Sequence, residues 1–368
     1  MVLKIPELTG QFEVVSIAKD EKVKNDLIGE PLQFFHITSS SVISFPEKKE
    51  LKISHETREK LLELNDYDVL EVYEDGTVVR VYDNCSDENL FFITGRCNSN
   101  CIMCPSPEYS RRNSGDASIN ALIERARHIP VYAKHFTITG GEPFLIGKEI
   151  FSFLQFLQGK FTRTDFQILT NGRVFALPEY CDRLAETIPQ YTILGIPLHA
   201  STASLHDGIT RTKESFEQTT LGISELLHRG LAVELRVVVS KLNVDDLADL
   251  AQYILMNYPT VDHVSIMGME MTGTAHDNRE QLWVPYKETF PKIRKAVDKL
   301  IEHGINVMLF NFPLCTVDPG YWTLCRRSIS PHKIRYVDNC RECRMRSECG
   351  GVFLGTLKLE GRELKPIR

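Results

Sequence analysis

The segment TGRCNSNCIMCP carries three cysteines that could hold a metal centre. Cys97 and Cys101 are separated by three residues, and Cys101 and Cys104 by two. A structural zinc site normally takes four protein ligands, whereas three thiolates can hold a four-iron cluster and leave one iron open. An open iron can be chelated by a substrate. The spacing therefore favours an iron-sulfur centre, and a zinc loop or a set of unrelated reactive thiols is the alternative.

This segment matches a CX3CX2C pattern and thereby resembles the radical S-adenosylmethionine (SAM) superfamily, in which the cysteines directly follow the first strand. The resemblance implies that Cys97, Cys101 and Cys104 hold a [4Fe-4S] cluster and that SAM binds its open iron. It also implies reductive cleavage of SAM to methionine and a 5′-deoxyadenosyl radical, which abstracts hydrogen from a substrate. Met103 replaces the aromatic residue that is common in the family at this position, but methionine also packs apolar surface.

A second motif follows the next predicted strand. TGGEPFL, at residues 139–145, resembles the GGEP motif of the same superfamily. The resemblance implies that Gly140, Gly141, Glu142 and Pro143 hold the amino group of SAM. Glycines let a backbone approach closely, and carbonyl and carboxylate oxygens accept hydrogen bonds from an ammonium group. A simple turn is the alternative for this motif when it is considered alone.

Residues at the exits of later strands are further candidate SAM contacts: Asn171, His199, Ser201, Arg236, Ser240 and Met267. Asn171 lies in ILTNGR, and similar TNG ends occur across the superfamily, although turn chemistry also explains Asn-Gly. His199 and Ser201 lie in PLHASTASLHDGITR, which resembles the stretch where family members carry a variant of IxxDG followed by HD. The guanidinium of Arg236 suits a carboxylate. Core packing is the alternative for His199 and Met267.

A second group of cysteines lies in a region rich in Arg, Ser, Pro and Gly. It resembles the C-terminal twitch or SPASM-type extension of radical SAM enzymes, which implies that Cys315, Cys340, Cys343 and Cys349 hold one auxiliary [4Fe-4S] cluster. A full SPASM extension has more cysteines than this region, and zinc is the alternative metal. Cys325 falls outside the matched pattern and is a candidate catalytic hydrogen donor, an alternate ligand or a free thiol.

The order PLC, SIS and CxxCxxxxxC, together with the N-terminal region, resembles the radical SAM maturases associated with His-Xaa-Ser repeat peptides. The resemblance implies a ribosomally made peptide as substrate, modified by crosslinking, epimerisation or another oxidation at an unactivated carbon. It also implies an electron donor such as flavodoxin or ferredoxin. Two alternatives are a radical SAM enzyme that acts on a small metabolite or RNA, and a zinc-binding interaction protein without enzymatic activity.

The elements that must position these residues begin near Asn89, where short apolar strands alternate with amphipathic helices. This rhythm predicts an α/β fold with a parallel sheet and crossover helices. The predicted strands lie at residues 90–94, 135–139, 165–169, 191–196, 233–239 and 263–267. They suit a partial (β/α)6 barrel of the radical SAM type, in which functional residues lie in the loops after the strand C-termini.

The sequence predicts three parts, at residues 1–88, 89–305 and 306–368. The first is a small strand-rich module that ends in a hairpin, with a two-residue turn at Asp75 and Gly76. Such a module can bind a peptide by adding it to a sheet as a further strand. The second part is the barrel. The third is a cysteine-rich extension, in which an auxiliary cluster would supply the cross-links that a small core cannot.

The composition restricts the partners and the compartment of the chain. It has 368 residues, of which 42% are hydrophobic and 25% charged, and its formal net charge is -6. This charge argues against wrapping nucleic acid as the main function. The sequence shows no secretory signal pattern and no apolar stretch long enough to span a membrane. A cytoplasmic location is expected, where ten cysteines favour metal ligation over disulfides.

Overall fold

The N-terminal region is rich in strands, as the sequence predicts. The computed structural model describes residues 1–10, 13–361 and 364–368. The elements of this region are β1 (Val2–Lys4), β2 (Glu13–Ala18), α1 (Glu21–Ile28), β3 (Phe34–Ile37), β4 (Val42–Phe45), β5 (Lys49–Glu50), α2 (His55–Leu62), β6 (Val69–Val72) and β7 (Thr77–Tyr82). The strands form one sheet in the order β1-β7-β6-β2-β3-β4-β5, in which β2 and β3 are parallel.

The hairpin between β6 and β7 turns through three residues, so the predicted two-residue turn at Asp75 and Gly76 is wrong. The N–H of Tyr73 donates to the carbonyl of Thr77 at 2.8 Å, which leaves residues 74–76 as the loop. Gly76 takes a φ of +76°, as the last residue of a three-residue hairpin loop commonly does. The carboxylate of Asp75 accepts a hydrogen bond from the N–H of Thr77 at 2.9 Å, which stabilises this longer turn.

From Leu90 onward, parallel strands alternate with helices, which confirms the predicted α/β fold. The elements are β8 (Leu90–Phe92), α3 (Glu108–Asn113), α4 (Ile119–His128), β9 (His135–Thr139), α5 (Glu149–Lys160), β10 (Asp165–Leu169), α6 (Pro178–Thr187), β11 (Tyr191–Pro197), α7 (Ala203–Thr210), α8 (Ser215–His228), β12 (Ala232–Val238), α9 (Leu247–Asn257), β13 (His263–Met267), α10 (Gly273–Asp277), α11 (Arg279–Leu282), α12 (Tyr286–Glu302) and β14 (Asn306–Phe310). The strands β8 to β13 correspond to the predicted strands.

Two strands that the sequence did not predict extend this sheet within the described residues. These are β14 and β15 (Cys325–Arg326), and the order is β15-β14-β13-β12-β11-β10-β9-β8. β14 begins at the residue where the predicted cysteine-rich extension begins, and β15 is too short to show any alternation. The elements that follow are β16 (Ile334–Arg335), β17 (Val352–Phe353) and α13 (Leu354–Glu360). In the described part of the chain, every helix is too short or too polar to cross a membrane.

Alternation along β8 defines the two faces of the barrel sheet. Phe91 is fully buried on the helix side, where its ring centroid lies 5.0 Å from that of Phe136 and 5.1 Å from that of Phe153. Leu90 and Phe92 point to the opposite side and are 44% and 50% exposed. Because successive side chains of a strand point to opposite faces, alternate residues of each strand line the interior of the barrel.

The N-terminal sheet packs against helix α4 of the barrel. Arg125 of α4 donates to Oε1 of Glu71 through Nε at 3.0 Å and through a terminal nitrogen at 2.7 Å. The hydroxyl of Ser16 lies 3.0 Å from Nδ1 of His128, at the end of α4. Val14 belongs to the same hydrophobic cluster as the barrel core. Apolar burial and these polar contacts together attach the N-terminal sheet to the barrel.

Acid should weaken this interface through His128. Burial lowers the pKa of His128 to about 4 from 6.5, so the folded protein holds the ring neutral where the unfolded chain protonates it. Its stabilising contribution is complete above pH 6.5 and is lost as the pH falls towards 4. We expect the loss of melting temperature between about pH 7 and about pH 5 to be smaller in His128→Gln. His303→Gln, at an exposed histidine, should keep the wild-type dependence. An unchanged pH dependence in His128→Gln would contradict this assignment.

Candidate active site

The cysteines of the first motif lie in the loop between β8 and α3, at the carboxyl edge of the barrel sheet. The N–H groups of Asn100 and Ile102 donate to the carbonyls of Thr210 at 3.1 Å and Ile209 at 2.9 Å, at the end of α7. Burial, together with the neighbouring thiols, raises the pKa of Cys101 to about 12. Such thiols stay protonated unless a cation binds them as thiolates, and this is the donor chemistry of an iron-sulfur cluster.

Arg111 organises this loop from within the protein. It is 5% exposed, and it donates to the side-chain oxygens of Asn100 at 2.6 Å and Thr274 at 3.3 Å. It also donates to the carbonyl of Ser106. The carbonyl of Cys104 accepts a hydrogen bond from the N–H of Ala275 in α10 at 3.2 Å. A buried guanidinium therefore joins the cysteine loop to the segment that follows β13.

Replacing Arg111 by Met should loosen the cysteine loop. The change removes the donor to the half-buried side-chain oxygen of Asn100 and one donor to the buried hydroxyl of Thr274, so we expect a loss of about 2 kcal/mol of unfolding free energy. Iron bound by the first motif should fall as well, because its loop loses an anchor. Arg112→Met is the matched control, since the Arg112 side chain is 70% exposed and its ion pair with Glu108 lies at the surface. Equal melting temperatures and iron contents for the two variants would show that Arg111 has no such role.

The glycines of the GGEP segment lie directly against the backbone that follows β8 and leads into the cysteine loop. The N–H of Gly141 donates to the carbonyl of Thr94 at 2.8 Å, and that of Glu142 to the carbonyl of Arg96 at 2.8 Å. A Cβ atom at Gly140 or Gly141 would collide with these same carbonyls. Glycine is therefore required here by the contact between two strand exits, whether or not a ligand also approaches this backbone.

Glu142 uses its carboxylate to join neighbouring strand exits. Oε1 accepts hydrogen bonds from the hydroxyl of Thr170 at 2.8 Å and the N–H of Phe144 at 3.1 Å, and Oε2 accepts one from the N–H of Asn171 at 2.7 Å. Complete burial raises the pKa of Glu142, against the lowering effect of these donors. Pro143 is also buried and starts a short helical turn. The carboxylate thus supports the loops of β9 and β10 at the candidate site.

Asn171 is the predicted SAM contact outside GGEP that lies directly beside the cysteine loop. Its side-chain amide donates to the side-chain oxygen of Asn98 at 2.6 Å. Arg173, which the sequence did not single out, donates to the carbonyl of Asn98 at 2.6 Å and to the hydroxyl of Ser99 at 3.3 Å. The TNGR segment therefore meets the cysteine loop through two side chains. Nothing in the sequence pattern of Arg173 signals this contact.

Two predicted serine contacts are hydrogen-bonded within the protein. The hydroxyl of Ser201 donates to Asp246 at 2.6 Å, and that of Ser240 donates to Asn243 at 3.0 Å. His199 is buried, and in the described part of the chain its Nδ1 has no hydrogen-bond partner. Burial lowers the pKa of His199 well below its usual value, so the ring is neutral. These three residues hold or border the loops after β11 and β12.

Arg236 and Met267 lie side by side on the interior face of the barrel. A terminal nitrogen of Arg236 is 3.5 Å from the sulfur of Met267. The two residues are on the adjacent strands β12 and β13, near their carboxyl ends. The structure therefore brings these two predicted contacts together.

The cysteines of the second group surround one small cavity. Cys315, Cys340, Cys343 and Cys349 all line it. Burial raises the pKa of Cys315 to about 11, and the other three thiols act in the same direction. The sulfur of Cys343 accepts a hydrogen bond from the N–H of Ile367 at 3.4 Å. This set of half-buried thiols matches the donors that a closed iron-sulfur cluster requires.

Cys325 lies in β15, beside the second group but outside its cavity lining. It pairs with Leu309, near the carboxyl end of β14. Burial raises its pKa to about 12, with a further contribution from Cys349. Its place near Cys349 and at the functional edge of the sheet is compatible with a catalytic hydrogen donor, an alternate ligand or a free thiol.

Within residues 1–10, 13–361 and 364–368, no three His, Cys, Asp or Glu side chains converge on a point where one metal ion would be held. A zinc ion requires all of its thiolates within about 2.3 Å of one point. In a four-iron cluster each thiolate binds a different iron, so the thiolates surround the cluster without meeting. The two groups of half-buried thiols fit such clusters in their donor chemistry.

Residues 91–254 match the family model of the Radical SAM superfamily. The matched segment runs from β8 into α9 and includes the CX3CX2C and GGEP segments. The family implies a [4Fe-4S] cluster and SAM as cofactors. This result confirms the superfamily resemblance that the sequence motifs indicate.

Solved structures with a similar fold include Streptococcus suis SuiB bound to precursor peptide SuiA, at 12% identity, 61% coverage of this chain, 49% of that chain and a TM-score of 0.49. SuiB bound to S-adenosylmethionine gives 13% identity, coverages of 76% and 72%, and a TM-score of 0.49. Histidine-tagged anSMEcpe with bound AdoMet gives 17% identity, coverages of 59% and 62%, and a TM-score of 0.48. The chain spans about half the length of the first of these. No curated protein sequence matches the chain.

Proposed function

We propose that this protein cleaves SAM reductively at a [4Fe-4S] cluster held by Cys97, Cys101 and Cys104, and uses the radical to abstract hydrogen from a substrate. The main support is the fixed cysteine loop at the carboxyl edge of the sheet, inside the radical SAM domain and against the GGEP segment. The cluster and SAM, when bound, supply one electron and the 5′-deoxyadenosyl radical. The chain's own residues hold the loop in place and shield it from water.

The amino group of SAM is assigned to the GGEP segment. Because the carboxylate of Glu142 is engaged with Thr170, Phe144 and Asn171, the backbone carbonyls of this segment are the more direct acceptors for an ammonium group. Glu142 then acts by keeping the segment in place. The carboxylate of SAM is assigned to Arg236, whose guanidinium is on the interior face of the barrel.

The second cysteine group is proposed to hold an auxiliary [4Fe-4S] cluster. Its support is the common cavity of Cys315, Cys340, Cys343 and Cys349 and the mutual influence of their thiols. Four thiolates close a cluster, so this cluster has no open iron for SAM. Its role would be to pass electrons or to place the substrate. An electron donor such as flavodoxin or ferredoxin is part of this proposal.

The proposed substrate is a ribosomally made peptide. The spacing of the second cysteine group supports this substrate through its resemblance to peptide maturases. The N-terminal sheet adds a physical reason, because its outermost strands β1 and β5 offer backbone groups with which an extended peptide can pair. A small metabolite or RNA is the alternative substrate.

Anaerobic purification and SAM cleavage test the first proposal. We expect brown protein containing iron and sulfide, which forms 5′-deoxyadenosine and methionine from SAM when a reductant is added, even without substrate. Omitting the reductant is the control. Colourless, zinc-rich protein that leaves SAM intact after iron-sulfur reconstitution would refute the proposal and favour a zinc-binding interaction protein.

Co-expression tests the peptide substrate. If a short repetitive peptide gene lies beside the gene for this protein, the peptide should change in mass only when both are expressed together. Co-expression of the peptide with the Cys97→Ala variant is the control, because this full-length variant lacks a ligand of the proposed cluster. If the enzyme cleaves SAM but the co-expressed peptide keeps its mass, the result would favour a metabolite or RNA as the substrate.

A further inference from the structure

A fully buried carboxylate lies in the interior of the barrel sheet, deeper than the candidate SAM contacts. Glu234 of β12 is 0% exposed. Both of its oxygens accept hydrogen bonds from one terminal nitrogen of Arg236, at 2.9 and 3.0 Å. Oε2 also accepts one from the side-chain amide of Gln167 at 2.7 Å, and Nε2 of His263 lies 3.6 Å from Oε1. The carboxylate therefore contacts three strands, β10, β12 and β13.

The strand register explains how these residues meet. Glu234 and Arg236 are two residues apart on β12 and so point to the same face, with Arg236 nearer the carboxyl edge. Gln167 reaches Glu234 from β10 across the intervening strand β11, where Gly195 pairs with Glu234. A Cβ atom at Gly195 would lie 3.1 Å from Oε2 of Glu234 and 3.0 Å from Cδ of Arg236. The absence of a side chain at this position leaves room for the network.

The charges in this network are balanced. Burial alone would raise the pKa of Glu234, but the hydrogen bond from His263 and the charge of Arg236 lower it to about 2. His263 in turn faces Asp262, whose carboxylate lies 2.6 Å from Nδ1. Buried ion pairs cost desolvation energy and are often no more stabilising than apolar residues of similar size. Stability alone therefore does not explain this pair, and its fixed geometry suits a role in positioning.

Arg236 retains donors for a ligand. Its contacts use one terminal nitrogen for Glu234 and the other for the sulfur of Met267, which is a weak acceptor. Its side chain is 24% exposed, at the end of β12 that faces the cysteine loop. A guanidinium held on one side by a buried carboxylate presents its remaining donors in a fixed direction, as the binding of a second carboxylate requires.

We propose that Glu234 is a positioning residue, which holds the guanidinium of Arg236 in the orientation that binds the carboxylate of SAM. Gln167 and His263 fix the carboxylate of Glu234 in turn. This inference rests on the proposed function, because it assigns SAM to the barrel. It adds that the affinity for SAM depends on a residue too deeply buried to touch the ligand.

A double-mutant cycle on SAM binding tests this role. The dissociation constant of SAM is measured by calorimetry on the anaerobic, cluster-containing full chain, without turnover. Glu234→Gln should raise it about tenfold, and Arg236→Ala at least as much. If Glu234 acts through Arg236, then Glu234→Gln should add almost nothing in the Arg236→Ala background. Additive effects in the double variant would overturn the inference.

Glu71→Gln is the matched control for this experiment. Glu71 is also a buried carboxylate, 3% exposed and paired with Arg125, but it lies in the N-terminal sheet. Its variant should lose stability without changing SAM affinity. If Glu234→Gln does not fold, Gln167→Met removes one hydrogen bond from Glu234 at nearly constant volume and should raise the dissociation constant by about threefold. An unchanged value in a folded Gln167→Met variant would also count against the inference.

The control measurements separate this inference from the proposed function. Wild-type protein that contains iron but does not bind SAM would refute the assignment of SAM itself. Wild-type protein that binds SAM, with folded Glu234 variants of unchanged affinity, would refute only the positioning role.

Discussion

Replacing Cys97, Cys101 and Cys104 together by Ala should abolish 5′-deoxyadenosine formation and leave about half of the iron in the reconstituted protein. The reason lies in the different ligand numbers of the two cysteine groups. In the proposed assignment, three thiolates leave an iron open to SAM, whereas the four thiolates of the second group close a second cluster. The measurements are chromatography of 5′-deoxyadenosine after addition of SAM and reductant, and iron analysis of the same protein.

Cys85→Ala controls for the loss of a thiol as such. Cys85 is an exposed free cysteine outside both groups, so its variant should keep the wild-type iron content and SAM cleavage. Continued formation of 5′-deoxyadenosine by the triple variant would contradict the assignment of the cluster. Complete loss of iron in a triple variant with a wild-type melting temperature would show that the second group holds none.

The order of the barrel and its functional edge could be predicted from the sequence because both depend on local patterns. Short apolar strands that alternate with amphipathic helices define parallel units, and the cysteine and GGEP motifs follow successive strands. In a parallel sheet these exits lie at one edge, so the cysteine loop and the GGEP segment are predicted to lie at the same edge. The structure shows the contact itself, from the N–H of Gly141 to the carbonyl of Thr94.

The residues that support this edge could not be predicted, because their partners are far away in the sequence. Arg111 meets Thr274, and Gln167 meets Glu234, through contacts that no periodicity or short motif encodes. Both involve polar groups that are buried, which a pattern of apolar residues does not reveal. The same limit applies to β15, whose two residues form a strand only because β14 lies beside them.

A side chain that a motif suggests as a ligand contact can also have hydrogen-bond partners within the protein. The GGEP motif suggests Glu142 as a contact of SAM, and the structure shows that its carboxylate also joins the loops of two strands. Ser201 and Ser240 likewise use their hydroxyls within the fold. These internal contacts depend on the three-dimensional structure, so the motifs alone do not reveal them.

Replacing Cys340 and Cys343 by Ala should have the opposite signature to the first variant. SAM cleavage should persist, because the cysteine loop after β8 is unchanged, and about half of the iron should remain. Conversion of the proposed peptide substrate should fall, since the variant loses two of the four ligands of the proposed auxiliary cluster. The melting temperature should also fall, because metal binding contributes folding energy to a segment with a small core of its own.

Cys181→Ala is the control for this last variant, since Cys181 is a fully buried thiol in α6, outside both groups. It should lose some stability while keeping iron and substrate conversion. Iron analysis, 5′-deoxyadenosine formation and mass spectrometry of the co-expressed peptide then distinguish lost packing from a lost cluster. If the Cys340/Cys343 variant kept its full iron content and modified the peptide at the wild-type rate, the auxiliary cluster would be wrongly assigned, and zinc or packing would remain to explain these cysteines.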